Sequence, residues 1–245
     1  MKCDLKVLNF RQEQGAARLT CSRCSLAELC LPDHMDHAEV ARMEQLVERL
    51  KPNRAGQYLF RAGDKFEEIF AIRSGCYKSF LIDENGEEKV IDFHLPGEIV
   101  GFDAIHGGTH VSTCVALDSG AVCTLKFNAV SDLARQLPAL QSRLFDIMSH
   151  RIQDLEIVRG NHGAERRFAM FLESFSRRYS RRGYSAREFS LAMSRKDIAN
   201  YLQLAAETVS RVLYRMKQQG ILDLHRRQLK ILNPEALHEI ALHQQ

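Results

Sequence analysis

Apolar positions change their period several times along this chain, and each change marks a different kind of element. Val40, Met43, Leu46, Val47 and Leu50 recur at three- and four-residue spacing, which predicts a short helix from Val40 to Leu50. From 52 to 127 the pattern shortens. Turn residues recur at Gly56, Gly63-Asp64, Ser74-Gly75, Asn85-Gly86, Pro96-Gly97 and Gly107-Gly108, with apolar runs between them. Ile91 to Leu95 alternates as a half-buried strand does. Closely spaced turns around such runs predict many short antiparallel strands, a small β-sandwich or β-roll. From Ala129 to about Gly160 the pattern is helical again, broken near Pro138. Its second piece carries Phe145, Met148, Ile152 and Leu155 at spacings of three and four. Such a narrow seam on a long helix suits pairing with a second copy of the chain or packing onto its own core.

Gly160-Asn161-His162-Gly163 ends that helix and marks a domain boundary. Ala164 to Arg178 places Phe168, Phe171, Leu172 and Phe175 on one helical face, and Tyr179 to Glu188 reads as a polar, Arg-rich connector. Ser194-Arg195-Lys196-Asp197 has the form of a helix N-cap with an acid three residues on. Ile198, Ala199, Tyr201 and Leu202 follow as an apolar face, and Gln203 to Ala206 makes a short turn. A second helix starts at Glu207, with Val209, Val212, Leu213 and Met216 inward and Gly220 at its end. Two short helices joined this way form a helix-turn-helix, whose second helix presents its N-terminal residues to a DNA major groove. Glu207, Ser210 and Arg211 share one exposed face there. Arg can bond both acceptors of guanine, and Glu can accept from cytosine. Leu224 to Leu232, with Arg226, Arg227 and Lys230, reads as a wing hairpin.

Charge supports the nucleic-acid reading. The net charge of +3 conceals +7 over residues 161–245 and −4 over the remainder. The rest of the composition is ordinary for a soluble protein, 45% hydrophobic and 27% charged in 245 residues. Met1 to Lys6 carries charges where a signal peptide needs an apolar stretch, and no run approaches the length of a membrane span. A cytoplasmic location, with no membrane partner, is therefore expected. No nucleophile–base pairing or glycine-rich phosphate loop stands out, so no enzyme is expected. His34, His37, His94, His106 and His110 are scattered and read as ordinary histidines.

Seven cysteines in a chain without a secretory signal point to metal or redox work rather than a disulfide framework. Cys21, Cys24 and Cys30 lie in C-S-R-C-S-L-A-E-L-C. A C-x2-C pair can reach one metal centre, and five more residues allow a third thiolate to close over it. An iron–sulfur cluster and a four-thiolate zinc site both remain open on spacing alone.

Four stretches together resemble the FNR branch of the CRP/FNR family of bacterial transcription regulators: C-S-R-C-S-L-A-E-L-C-L-P (21–32), F-A-I-R-S-G (70–75), F-H-L-P-G-E-I-V-G-F-D-A-I (93–105) and E-T-V-S-R-V-L (207–213). The resemblance implies an α+β fold: an N-terminal antiparallel β-roll sensor of cyclic-nucleotide-binding type, a long dimerisation helix and a C-terminal winged helix-turn-helix. The corresponding domains are a cysteine-rich cluster-binding segment (1–30), the β-roll (31–135), the dimerisation helix (136–160) and the DNA-binding domain (161–245).

It also implies an oxygen-labile [4Fe–4S] cluster, with Cys21, Cys24 and Cys30 matching three ligands and Cys123 the distant fourth. Cys3, Cys76 and Cys114 match no ligand position and read as ordinary cysteines. Glu207, Ser210 and Arg211 match base-reading residues, and the target would be a promoter palindrome close to TTGAT-N4-ATCAA. Phe145, Met148, Ile152 and Leu155 would form the homodimer interface. RNA polymerase is the expected further partner, with the turn Asp83 to Glu87 as a candidate contact. A cyclic nucleotide is not expected, because Gly97-Glu98 is followed by no Lys or Arg as far as Leu125 to pair with its phosphate. Leu29 is a candidate oxygen shield, and Arg23 and Ser25 are candidates for tuning the cluster.

Two departures from the family pattern stand out. Leu155 occupies a seam position where relatives can carry an acid, so the cluster-free protein is expected to dimerise more readily. Ala205-Ala206 precedes Glu207 where a capping hydroxyl is expected.

Overall fold

The computed structural model describes residues 21–32, 35–159 and 162–242, with backbone only for 49–50 and 153–159. Cys3 and His34, and the side chain of Leu155, lie outside the described residues. The chain opens with a 3-10 turn at Cys21–Arg23 and a single helical turn, α1 (Ala27–Cys30). Helix α2 (His37–Leu46) follows behind a capping box, in which Asp36 accepts from the Glu39 N–H at 2.8 Å and the Glu39 carboxylate accepts from the Asp36 N–H at 3.0 Å. The helix expected to reach Leu50 stops at Leu46. Val47 already pairs with Leu125, so β1 (Val47–Asn53) begins where the helical period suggested one more turn. A β-branched residue with a sheet partner beats a weak local helix preference.

Strands β2 (Tyr58–Phe60), β3 (Glu68–Ser74), β4 (Tyr77–Ile82), β5 (Glu88–His94), β6 (Ile99–Val100), β7 (Thr113–Ala116) and β8 (Gly120–Lys126) complete the expected β-roll. They form two antiparallel sheets, one in the order β1, β8, β3, β6 and the other in the order β2, β7, β4, β5. Helix α3 (Phe127–Gln136) lies against the first sheet, and Pro138 then opens the long helix α4 (Pro138–Arg159). A proline is tolerated in a first helical turn, where its missing N–H would have no partner.

The C-terminal part contains α5 (Ala164–Ser180), β9 (Glu188–Ser190), α6 (Arg195–Tyr201), α7 (Ala206–Gln218), β10 (Leu222–His225), β11 (Gln228–Ile231) and α8 (Pro234–Leu242). The wing is wider than the hairpin expected from sequence. β9, whose first residue fell in the supposed connector, adds a third strand by pairing with β11.

The two halves share one core. Phe168, Phe171, Leu172 and Phe175 of α5 are buried together with Val90, Phe93 and Leu95 of the β-roll. Phe93 lies 6.2 Å from Phe171 and 5.2 Å from Tyr201, ring to ring. Each large side chain buried this way stabilises the arrangement by roughly 1.5–3 kcal/mol. Polar contacts seal the same seam. β5 is the edge of its sheet, and Asn200 of α6 covers that edge, accepting from Val90 N and donating to Glu88 O, each at 2.6 Å. Lys78 bridges Asp197 at 2.8 Å and Glu88 at 2.6 Å.

Candidate functional site

Cys123 stands on β8 between its neighbours β1 and β3. Cys21, Cys24 and Cys30 come to it on the N-terminal turns. Ser22 fixes this segment, its N–H and hydroxyl donating to Glu44 of α2 at 2.8 and 2.9 Å. Cys21, Cys30 and Cys123 border an apolar cluster that includes Leu31, Met43, Ile69 and Leu125. All four thiols sit in one another's field. Burial pushes Cys21 up to about 11, and Cys123 and Cys24 add to it. Burial pushes Cys30 up to about 12, with Cys24, Cys123 and Cys21 adding further. Cys123 is raised by burial too, against the opposing charge of Arg73.

Arg73 was not singled out from sequence. It sits at an irregularity of the β3–β8 register, between Ile72 and Ser74, and such a bulge re-aims a side chain. Its Nη1 lies 3.4 Å from the Cys24 sulfur. Arg23 and Ser25, the expected tuning residues, make no hydrogen bond or ion pair among the described residues.

Cys21, Cys30 and Cys123, which resist ionisation, fit a cationic centre together with Cys24, since metal binding takes thiolates and removes their mutual repulsion. Among the described residues, no three His, Cys, Asp or Glu side chains close together as around a single ion. A tetrahedral zinc would draw four sulfurs to within about 4 Å of one another. A polynuclear cluster, with a separate iron for each thiolate, accommodates a wider spread.

Beneath the cysteine turns lies the β5–β6 turn. Leu29 packs on Gly97 so closely that a Cβ there would stand 2.7 Å from Leu29 Cδ1. The Cys30 thiol reaches the Gly97 carbonyl at 3.7 Å. Arg143 of α4 donates to the Leu29 carbonyl at 2.5 Å. Next to Gly97, Glu98 is held by two arginines of the C-terminal half. Arg178 grips it with Nε at 2.9 Å and Nη2 at 2.7 Å, and Arg182 donates at 2.6 Å. Arg178 also donates to Phe93 O, and Arg182 to Pro96 O. Burial alone would raise the Glu98 pKa, but the two guanidiniums carry it down to about 2.

The helix-turn-helix forms as expected. Ser194 and Asp197 make a reciprocal capping box at the start of α6. Gln203, at φ +54°, turns the chain into α7. Glu207 and Arg211 are exposed on α7 and Ser210 is half-buried beside them, while Val209, Val212, Leu213 and Met216 face inward. Ser210 donates to Ala206 O at 3.0 Å, and Arg211 to Thr208 Oγ1 at 3.3 Å. Ala205 occupies the N-cap of α7 with no side-chain cap. On α4, Phe145 and Ile152 are 59% and 61% exposed, an apolar stripe that none of the described residues covers, and Met148 is half-buried nearby.

A β-roll joined through a long helix to a winged helix-turn-helix defines a DNA-binding transcription regulator. The comparisons agree. Residues 50–136 match the cyclic nucleotide-binding domain model, and residues 166–240 the Crp-like helix-turn-helix domain model. The chain is 40% identical to the fumarate and nitrate reduction regulatory protein of Escherichia coli (strain K12), over 95% of this chain and 94% of that one. It is also 40% identical to the anaerobic regulatory protein of Aggregatibacter actinomycetemcomitans, over 96% and 92%. The solved structure of FixK2 from Bradyrhizobium japonicum superposes with a TM-score of 0.72 at 26% identity, covering 80% of this chain and 98% of that one. The chain belongs to the FNR branch of the CRP/FNR family, whose members regulate transcription and are not enzymes. Among the described residues, no helix is long and apolar enough to cross a membrane.

Proposed function

We propose that this protein controls anaerobic gene expression as a homodimer on a TTGAT-N4-ATCAA-like promoter palindrome, with Cys21, Cys24, Cys30 and Cys123 holding a [4Fe–4S] cluster. The observation that carries this reading is the meeting of four thiols from two distant segments, beside Arg73, in a chain closely related to proteins named for fumarate and nitrate reduction and for anaerobic regulation. When bound, the cluster supplies an oxygen-labile tie between the N-terminal turns and β8.

The chain's own residues then convert that tie into DNA binding. Arg73 holds positive charge against the Cys24 sulfur. Leu29 and Cys30 rest on Gly97, and Glu98 beside it clasps the DNA-binding half through Arg178 and Arg182. Arg143 links the same turn to α4, whose exposed Phe145 and Ile152, with Met148 and Leu155 on the same helix, supply the dimer seam. The position of the cysteine turns is thereby felt both by the dimer helix and by the DNA-binding half. A paired α4 sets two α7 helices one DNA turn apart, with Glu207, Ser210 and Arg211 toward base edges.

RNA polymerase is the partner in activation. Its candidate contact is the β4–β5 turn, where the Asp83 side chain accepts from Asn85 N and Glu87 N at 2.9 Å each. Glu98, already gripped by two arginines, is engaged against a cyclic nucleotide, which supports the reading that none binds. Anaerobic purification with iron and sulfide analysis, followed by duplex binding before and after air, tests the proposal. About four irons per chain with air-sensitive binding is expected. Colourless, iron-free or zinc-containing material that binds promoter equally in air would refute it.

A further inference from the structure

Between the cysteine turns, the β5–β6 turn, α4 and α5 lies a cavity of about 370 Å³, within the range of small-molecule sites. Six arginines line it, Arg143, Arg151, Arg177, Arg178, Arg181 and Arg182, against two carboxylates. Three of the six have anionic partners: Arg151 meets Asp92 at 3.0 Å, and Arg178 and Arg182 share Glu98. The other three do not. Arg143 donates only to the Leu29 carbonyl, and its Nε is buried with no hydrogen-bond partner. Arg177 and Arg181 stand four residues apart at the C-terminal end of α5, so they share one face, and neither side chain has a hydrogen bond or ion pair among the described residues. Leu29, Ile99 and Ile147 add apolar surface.

A buried donor left unmade is costly, and like charges gathered in a concave site raise the local concentration of anions. Guanidinium forks match the oxygens of phosphoryl groups two at a time. We propose that this cavity binds a small polyanion of the phosphate class, carrying at least two phosphoryl groups. The site shares no residue with α7. It is walled by both halves of the chain, so its ligand favours the docked arrangement by mass action. The proposal does not depend on the cluster.

Calorimetric titration of the full-length protein at fixed salt tests it, with inorganic triphosphate and ATP as separate probes. One site per chain is expected, weakened about tenfold or more in the Arg177→Ala/Arg181→Ala double variant, while promoter binding by that variant is retained. Equal binding of the two probes supports a site that reads the phosphate chain alone. Tighter ATP binding supports one that also holds the nucleoside against the apolar surface. Absence of binding by both probes overturns the proposal. So does equal binding to the double variant, or displacement of the probe by promoter duplex, which would put the anion on the DNA-reading face.

Discussion

Gly97 meets two demands at once. Its φ of +86° is strained for any side chain, and Leu29 fills the space a Cβ would need. Gly97→Ala should therefore lower stability by about 1–2 kcal/mol, read as a fall in the urea midpoint at unchanged slope. His94, expected to be an ordinary histidine, is fully buried in a network from Ser79 to α4. Arg has only donors, so Arg151 Nη2 at 3.1 Å needs the lone pair of Nδ1, which puts the ring proton on Nε2, 2.7 Å from Ser79 Oγ. Burial lowers its pKa from 6.5 to about 4, with Asp92 and Glu98 opposing and Arg151 and Arg178 reinforcing. The unfolded chain takes up this proton first. Stability is thus whole above about pH 6.5 and falls as the pH drops toward 4, by up to about 3 kcal/mol. His94→Gln should flatten that part of the pH profile in urea unfolding, and an unchanged slope would contradict the assignment.

At the scale of the element, α7 is the helix with work to do and it lacks a side-chain cap. Ala205 already has the extended backbone of an N-cap residue, φ −69° and ψ 145°. Ala205→Ser should raise the stability of the free protein by about 1 kcal/mol, visible as a higher melting temperature. The gain should shrink with promoter duplex bound, because a DNA phosphate can satisfy the same N–H groups. Helix α4 carries a second expectation. Leu155 brings no charge to the position where relatives can carry an acid, so cluster-free protein in micromolar solution should sediment as a dimer. Monomers alone would count against it.

At the scale of the molecule, the two halves are bound by a shared aromatic core and by the Glu98 clasp. Glu98 keeps 22% of its side-chain exposure, so solvent weakens the pair, and Glu98→Gln should cost about 2 kcal/mol rather than the full value of a buried ion pair. Its carboxylate titrates below the ordinary value. The clasp's contribution is therefore complete above about pH 4.5 and is lost as the pH falls toward 2. Faster proteolysis near Gly163 in Glu98→Gln than in Glu87→Gln, an exposed turn variant, would report the loosened docking.

Local pattern was enough for much of this. The spacing of Cys21, Cys24 and Cys30, the turn rhythm of the β-roll, the apolar stripe of α4 and the two helices around Gln203 are short-range facts, and short-range periodicity is what a sequence displays. It misread Val47, where sheet pairing overrode a helical period, and the start of β9, which owes its state to β11. Residue order could not disclose Arg73 beside Cys24, Leu29 on Gly97, or Arg178 and Arg182 on Glu98. Those contacts join residues some fifty to eighty positions apart, and only the closing of the chain on a common core decides which charges meet.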